Sequence, residues 1–98
     1  MENEIIEKIN NNPGYYVMFY SPGCKYCDDS LKLLRDSNVN YKGYNIDKIP
    51  GEKAYVMDVF LRNKESLQYK PEFKTKPFIF LNGKFIGGFN ELKNLIKP

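Results

Sequence analysis

Residues 77–88 read PFIFLNGKFIGG, two apolar runs on either side of Asn82-Gly83. An Asn-Gly pair supplies the two positive φ angles of a tight hairpin turn, so this stretch commits the chain to an antiparallel strand pair. A lone hairpin is marginal in water and needs further strands or a helix against its apolar side. The rest of the 98-residue chain must provide that cover. Such a length suits one compact domain, taken here as residues 1–98, and is too short for two.

The cover can be read in chain order. Residues 3–11 put Ile5, Ile6 and Ile9 on one helical face, and NNPG then breaks the pattern. YYVMFYS, residues 15–21, is nearly apolar throughout and of strand length, as expected of a strand buried on both faces of a sheet. Pro22 and Gly23 end it. From Cys24 the pattern turns helical, with Cys27, Leu31 and Leu34 on one side until DSNVN. YKGYNID, residues 41–47, predicts a second strand, and Pro50-Gly51 introduces a helix with Val56, Val59 and Phe60 inward. The polar stretch 63–73 reads as a loop or frayed helix end. After the hairpin, Asn90 is placed to cap a short helix whose Leu92, Leu95 and Ile96 pack inward before Pro98. The order αβαβαββα implies a small α/β fold, a mixed four-stranded sheet with helices on both faces.

The chemistry lies in GCKYCD, residues 23–28, which holds both cysteines of the chain. A closed zinc site wants four Cys or His ligands, and the chain has no histidine and no third cysteine, so no metal is expected. A purely structural disulfide between Cys24 and Cys27 would close a very short loop, worth roughly 2 kcal/mol. The redox reading explains more. A strand ending at Ser21 and a helix starting near Cys24 put the first thiol among the unsatisfied N–H groups of a helix N-terminus, which favours a thiolate. Cys27, one turn later on the same face, can attack a mixed disulfide formed at Cys24. Lys25 is expected to stabilise the Cys24 thiolate, against Asp28 and Asp29 one turn on.

Charge excludes little but guides. Fifteen basic residues interleave with 12 acidic ones for a net +3, a mixed surface that does not argue for nucleic acid or an anionic membrane. The start MENEIIEKIN lacks the basic and apolar regions of a signal peptide, and no apolar run approaches membrane-spanning length. A soluble, cytoplasmic protein is expected, in a reducing compartment where a dithiol can cycle.

Three separated segments resemble the glutaredoxin family, in order and over essentially the whole chain. VMFYSPGCKYC, residues 17–27, is similar to the family's first strand and C-P-Y-C site; TKPFIFLNGKFIGG, residues 75–88, to its T-V-P segment and hairpin; GGFNEL, residues 87–92, to the double glycine entering the last helix. The resemblance implies a thioredoxin-like fold and a glutathione-dependent thiol–disulfide oxidoreductase of the dithiol type. It implies Cys24 as nucleophile, Cys27 as resolving thiol of a redox-active disulfide, and Pro77 as a cis-proline facing them. Glutathione would lie against Tyr26, Thr75, Lys76 and Pro77. Gly87 and Gly88 would let the backbone approach, with the N–H groups of Phe89 and Asn90 at its γ-glutamyl carboxylate. The implied clients are disulfide-bearing or glutathionylated proteins, ribonucleotide reductase among them by analogy, and the implied state is a monomer.

The departures are specific. Ser21 stands where the family has a lysine three residues before the first cysteine, so Lys25, Lys74 or Lys76 must supply that charge. SLQYKPEF, residues 66–73, reads as an insertion. Comparable liberties mark small thioredoxin–glutaredoxin hybrids of phages and large DNA viruses. Two alternative functions stand beside the main one: a thioredoxin-type reductant served by a reductase, and an iron–sulfur carrier in which two chains and two glutathiones hold a cluster through each Cys24.

Overall fold

The computed structural model describes residues 2–96 and follows the expected order with two short additions, a 3-10 turn and a one-turn helix. Helix α1 (Glu2–Asn10) leads into strand β1 (Tyr16–Tyr20), and helix α2 (Lys25–Asp36) into strand β2 (Tyr41–Asn45). Helix α3 (Glu52–Arg62) is followed by a one-turn helix α4 (Lys64–Leu67). Strands β3 (Phe78–Leu81) and β4 (Lys84–Gly87) form the hairpin, and helix α5 (Phe89–Leu95) comes last. Across the sheet the order is β2-β1-β3-β4, with β1 parallel to β2, antiparallel to β3, and β3 antiparallel to β4. The parallel pair is the one joined by a helix, because only a crossover can return the chain to the same end of the sheet. Among the described residues no helix is long and apolar enough to cross a membrane.

Alternation along the strands sorts the core into two layers. Val17 and Phe19 of β1 and Phe78 and Phe80 of β3 face α1 and α3, where Ile5, Ile9, Val56, Val59 and Phe60 meet them. Met18 and Ile79, one residue out of step, face the other way onto Leu34 of α2 and Leu92 of α5. The hairpin turn has the backbone its sequence requires, with Asn82 at φ 52 and Gly83 at φ 79. Asn82 Oδ1 also accepts the Gly14 N–H at 2.7 Å, tying the turn to the loop before β1.

Four sequence expectations need correction. Residues 63–73, read as a loop or frayed helix end, do begin with the one-turn helix α4, but they are not merely polar: Leu67 and Tyr69 are buried, and Phe73 packs edge-on against Phe78 and Phe85. Only three of these eleven positions face inward, too few to give a period. The second strand stops at Asn45, whose side chain accepts the Asp47 N–H at 2.9 Å and opens a 3-10 turn over Ile46–Lys48. The cap of α5 is Gly88 and not Asn90, which lies inside the helix. Finally, Leu95 is 55% exposed, because Leu92 and Ile96, four residues apart, take the inner stripe of so short a helix. Pro98, the expected stop, lies outside the described residues.

Candidate active site

β1, a central strand, ends at Tyr20, and Ser21, Pro22 and Gly23 turn the chain into α2. Cys24 is the N-cap, in extended conformation, and its Sγ accepts the Cys27 N–H at 3.2 Å. A sulfur therefore takes the role that a Ser or Asp oxygen usually fills, satisfying one of the orphan donors of the first turn. The same Sγ lies 4.0 Å from the carbonyl oxygen of Lys76, whose peptide bond to Pro77 is cis. Both cysteines are free thiols, Cys24 half-buried and Cys27 fully buried.

Burial separates the two sulfurs chemically. Desolvation pushes the Cys27 thiol up to about 12 from an ordinary 9.0, and its contact with Cys24 adds to this. A backbone hydrogen bond from Ser21 and the Lys76 ammonium pull it back by less. One accessible sulfur at a helix start thus stands before a protected sulfur that keeps its proton at neutral pH.

Beside Cys24 opens a pocket of about 210 Å³ lined by Tyr26, Phe73, Thr75, Lys76, Pro77, Gly88, Phe89, Asn90 and Glu91. Seven of these were expected from the sequence. Tyr26, 58% exposed, stacks on Phe89 with ring centroids 6.2 Å apart. Lys74 and Gly87, also expected, do not line it. Gly87 instead serves the turn beneath, at φ +125, where an added Cβ would come within 2.5 Å of Glu91 Cγ. At Gly88 a Cβ would fall 2.9 Å from the Phe73 ring and 3.3 Å from the Pro77 carbonyl, so only glycine keeps that wall of the pocket open.

Lys25 is not where the sequence suggested. Its Nζ lies 3.1 Å from Asp29 Oδ2, with the side chain 81% exposed, because an i,i+4 carboxylate on the outer face of α2 is its nearest partner. Ser21 is also unlike a surface serine: it is 3% exposed, and its Oγ donates to Asp47 Oδ1 at 3.0 Å. Sequence reasoning missed Phe73, Glu91 and Asp47. Glu91 was findable, since it stands three residues after the cap and its Oε1 accepts the Gly88 N–H at 2.8 Å. Phe73 and Asp47 carried no local signal.

The glutaredoxin family model matches residues 16–86, which run from β1 through β4. This chain belongs to the glutaredoxin family. It is 43% identical over 89 residues to a probable glutaredoxin of Acanthamoeba polyphaga mimivirus, covering 90% of this chain and 84% of that protein. Over 95 residues it is 34% identical to mitochondrial glutaredoxin-2 of Mus musculus, covering 97% of this chain but only 54% of the mouse protein. The chain therefore spans about half the length of that mitochondrial relative. Two solved plant structures share the fold. The holo form of glutaredoxin C1 from Populus tremula x tremuloides has a TM-score of 0.72 at 22% identity, covering 96% of this chain and 85% of that one. The buckwheat glutaredoxin–glutathione complex has 0.70 at 24%, covering 92% and 73%. Membership makes the protein a thiol–disulfide oxidoreductase with a thioredoxin-like fold.

Proposed function

We propose that the protein reduces protein disulfides and glutathione mixed disulfides through the Cys24–Cys27 dithiol, and that glutathione restores the reduced pair. The observation that carries this reading is the pairing of a half-buried Cys24 sulfur at the pocket mouth with a fully buried Cys27 one turn behind it. In the first step the Cys24 thiolate attacks a disulfide sulfur, the substrate S–S bond breaks, and one substrate sulfur leaves as a thiolate that takes up a proton. Cys27 then loses its proton to solvent and attacks Cys24 Sγ, and the second substrate sulfur departs. Two glutathiones reverse the resulting Cys24–Cys27 disulfide and leave as glutathione disulfide.

The pocket supports glutathione as the reductant. The backbone of Lys76 offers a ladder partner to an extended thiol peptide, as an added strand does. Tyr26 flanks it, the N–H groups of Phe89 and Asn90 meet the γ-glutamyl carboxylate, and Lys76, with Thr75 beside it and Lys74 nearby, meets the glycyl carboxylate. A glutathione complex among the fold neighbours supports the same assignment. The clients in this reading are disulfide-bearing or glutathionylated proteins of the cytoplasm, met by a monomer.

Turnover with glutathione and glutathione reductase, compared with thioredoxin reductase, tests this. Glutathione-dependent turnover that weakens as salt rises is expected, since the carboxylate contacts are exposed to screening. Negligible turnover with glutathione alongside good turnover with thioredoxin reductase would make the protein a thioredoxin-type reductant.

A further inference from the structure

Closing the Cys24–Cys27 disulfide makes a sulfur anion twice. Cys27 must give up its proton to attack, and the departing sulfur leaves with the electron pair of the broken bond. Both events occur beside a fully buried thiol that desolvation holds in its neutral form. A nearby cation that is not already neutralised lowers the cost of both.

The sequence offers Lys25 for this, but the structure gives Lys25 to Asp29 on the solvent side of α2. Lys76 is differently placed. It is half-buried, it lines the pocket in front of Cys24, and its own carbonyl lies 4.0 Å from the Cys24 sulfur. The ion pairs formed among the described residues involve Lys25, Lys32, Arg35 and Arg62, and none involves Lys76. The carboxylate that lines the pocket, Glu91, accepts the Gly88 N–H, Asp47 accepts from Ser21 Oγ, and Asp29 holds Lys25 on the outer face of α2. Of the cations near the sulfurs, the one without a carboxylate partner is the lysine immediately before the cis-proline.

We propose that Lys76 supplies the positive charge that stabilises the sulfur anions of the closing step, so that it sets the rate at which Cys27 displaces a thiol from Cys24. This rests on the reading above of Cys24 as attacking and Cys27 as resolving sulfur. The step balances without any further reagent. Cys27 loses its proton to solvent, the Cys24–Cys27 S–S bond forms as the bond from Cys24 to the substrate sulfur breaks, and the departing thiolate takes a proton from solvent. In this step Cys27 is oxidised from thiol to disulfide and the substrate sulfur is reduced to a thiol, while Cys24 only exchanges one disulfide partner for another. Lys76 stays protonated throughout and transfers nothing.

The test uses a substrate with no carboxylate, so that glutathione recognition does not enter. Reduced protein is mixed with excess hydroxyethyl disulfide and quenched with acid at intervals. Mass spectrometry then separates the adduct on Cys24, formed at a rate proportional to reagent, from the closed disulfide, formed at a rate independent of it. Lys76→Met is expected to slow closing by about tenfold, the effect of losing one opposite charge close to a titrating group. Lys76→Arg should stay near the wild-type rate, and Lys25→Met should close like wild type. Added salt should slow closing in the wild type and leave the slow Lys76→Met rate nearly unchanged. Should Lys76→Met fail to fold by circular dichroism, Lys76→Gln carries the same expectation. Closing at the wild-type rate in the neutral variants overturns the proposal, as does Lys76→Arg closing as slowly as Lys76→Met, which would point to packing rather than charge. An adduct that maps to Cys27 overturns it too. Failure to turn over with glutathione would leave these rates as readable as before.

Discussion

On the face of the sheet covered by α1 and α3, Phe19, Phe60, Phe78 and Phe80 are fully buried, with Phe60 5.4 Å from Phe19 and 5.0 Å from Phe80, ring centroid to centroid. On the face covered by α2 and α5 the buried set is Met18, Leu34, Ile79 and Leu92, aliphatic and small in number. The first face joins α1, β1, α3, α4, β3 and β4 and extends through Tyr69 to Phe85, 5.0 Å apart. The second packs both α2, which carries Cys27, and α5 against the sheet, with Leu31, Leu33 and Ile96 partly buried around it. Aromatic side chains bury the most apolar area and add edge-to-face contacts worth about 0.5–1.5 kcal/mol per pair. The first face therefore buries the larger aromatic area, and Phe73 carries it to the wall of the pocket. The first turn of α2, with Cys24 half-buried, stands beside the pocket lined by Tyr26 and Lys76.

The sharpest separation of the two faces comes from the cysteines. Cys24→Ser is expected to abolish thiol–disulfide exchange while shifting the urea midpoint little, because serine is itself a good N-cap. Cys27→Ser should keep deglutathionylation and lose reduction of protein disulfides that need a resolving thiol. Equal loss of both activities in both variants would contradict the assigned roles.

Next in size, Phe60→Ala should cost about 3–5 kcal/mol in urea unfolding, the range for emptying a buried aromatic site. The alkylation rate of Cys24 in the folded protein should be unchanged. Leu34→Ala, on the other face, should cost about 2–5 kcal/mol and also alter that rate, since Leu34 seats the helix bearing the thiol. A change in Cys24 reactivity in Phe60→Ala, with none in Leu34→Ala, would break the division of labour.

A further test is a pH dependence. The folded Cys27 thiol is raised to about 12 from 9.0, chiefly by burial. Between those limits the unfolded chain has lost this proton and the native state still holds it, so stability falls as pH rises. The contribution is fully present below the unfolded value and gone above the folded one. Cys27→Ala should therefore lose less stability than wild type over that window, measured by urea unfolding at successive pH values. Identical slopes would mean that Cys27 is not held neutral by burial.

The sequence alone determined the element order, the hairpin at Asn82-Gly83 and the placing of Cys24 at a helix start. Each is a local matter: a turn that needs positive φ, an apolar period, a strand run ending in Pro-Gly. The segments behind the family resemblance are likewise contiguous. Tertiary structure decided what faces what. Lys25 and Lys76 are equal as letters near the site, and only packing turned one onto Asp29 and left the other in the pocket. Ser21 and Asp47 meet because β1 and β2 run parallel in a register that sets Tyr20 beside Asn45, a pairing fixed by a crossover and invisible in either strand. Phe73 sits in a polar stretch, and becomes a pocket wall through Phe78, Phe85 and the close approach of Gly88. Local sequence governs backbone conformation, whereas the charge and shape of a pocket come from side chains brought together across long separations, and no short window of sequence contains them.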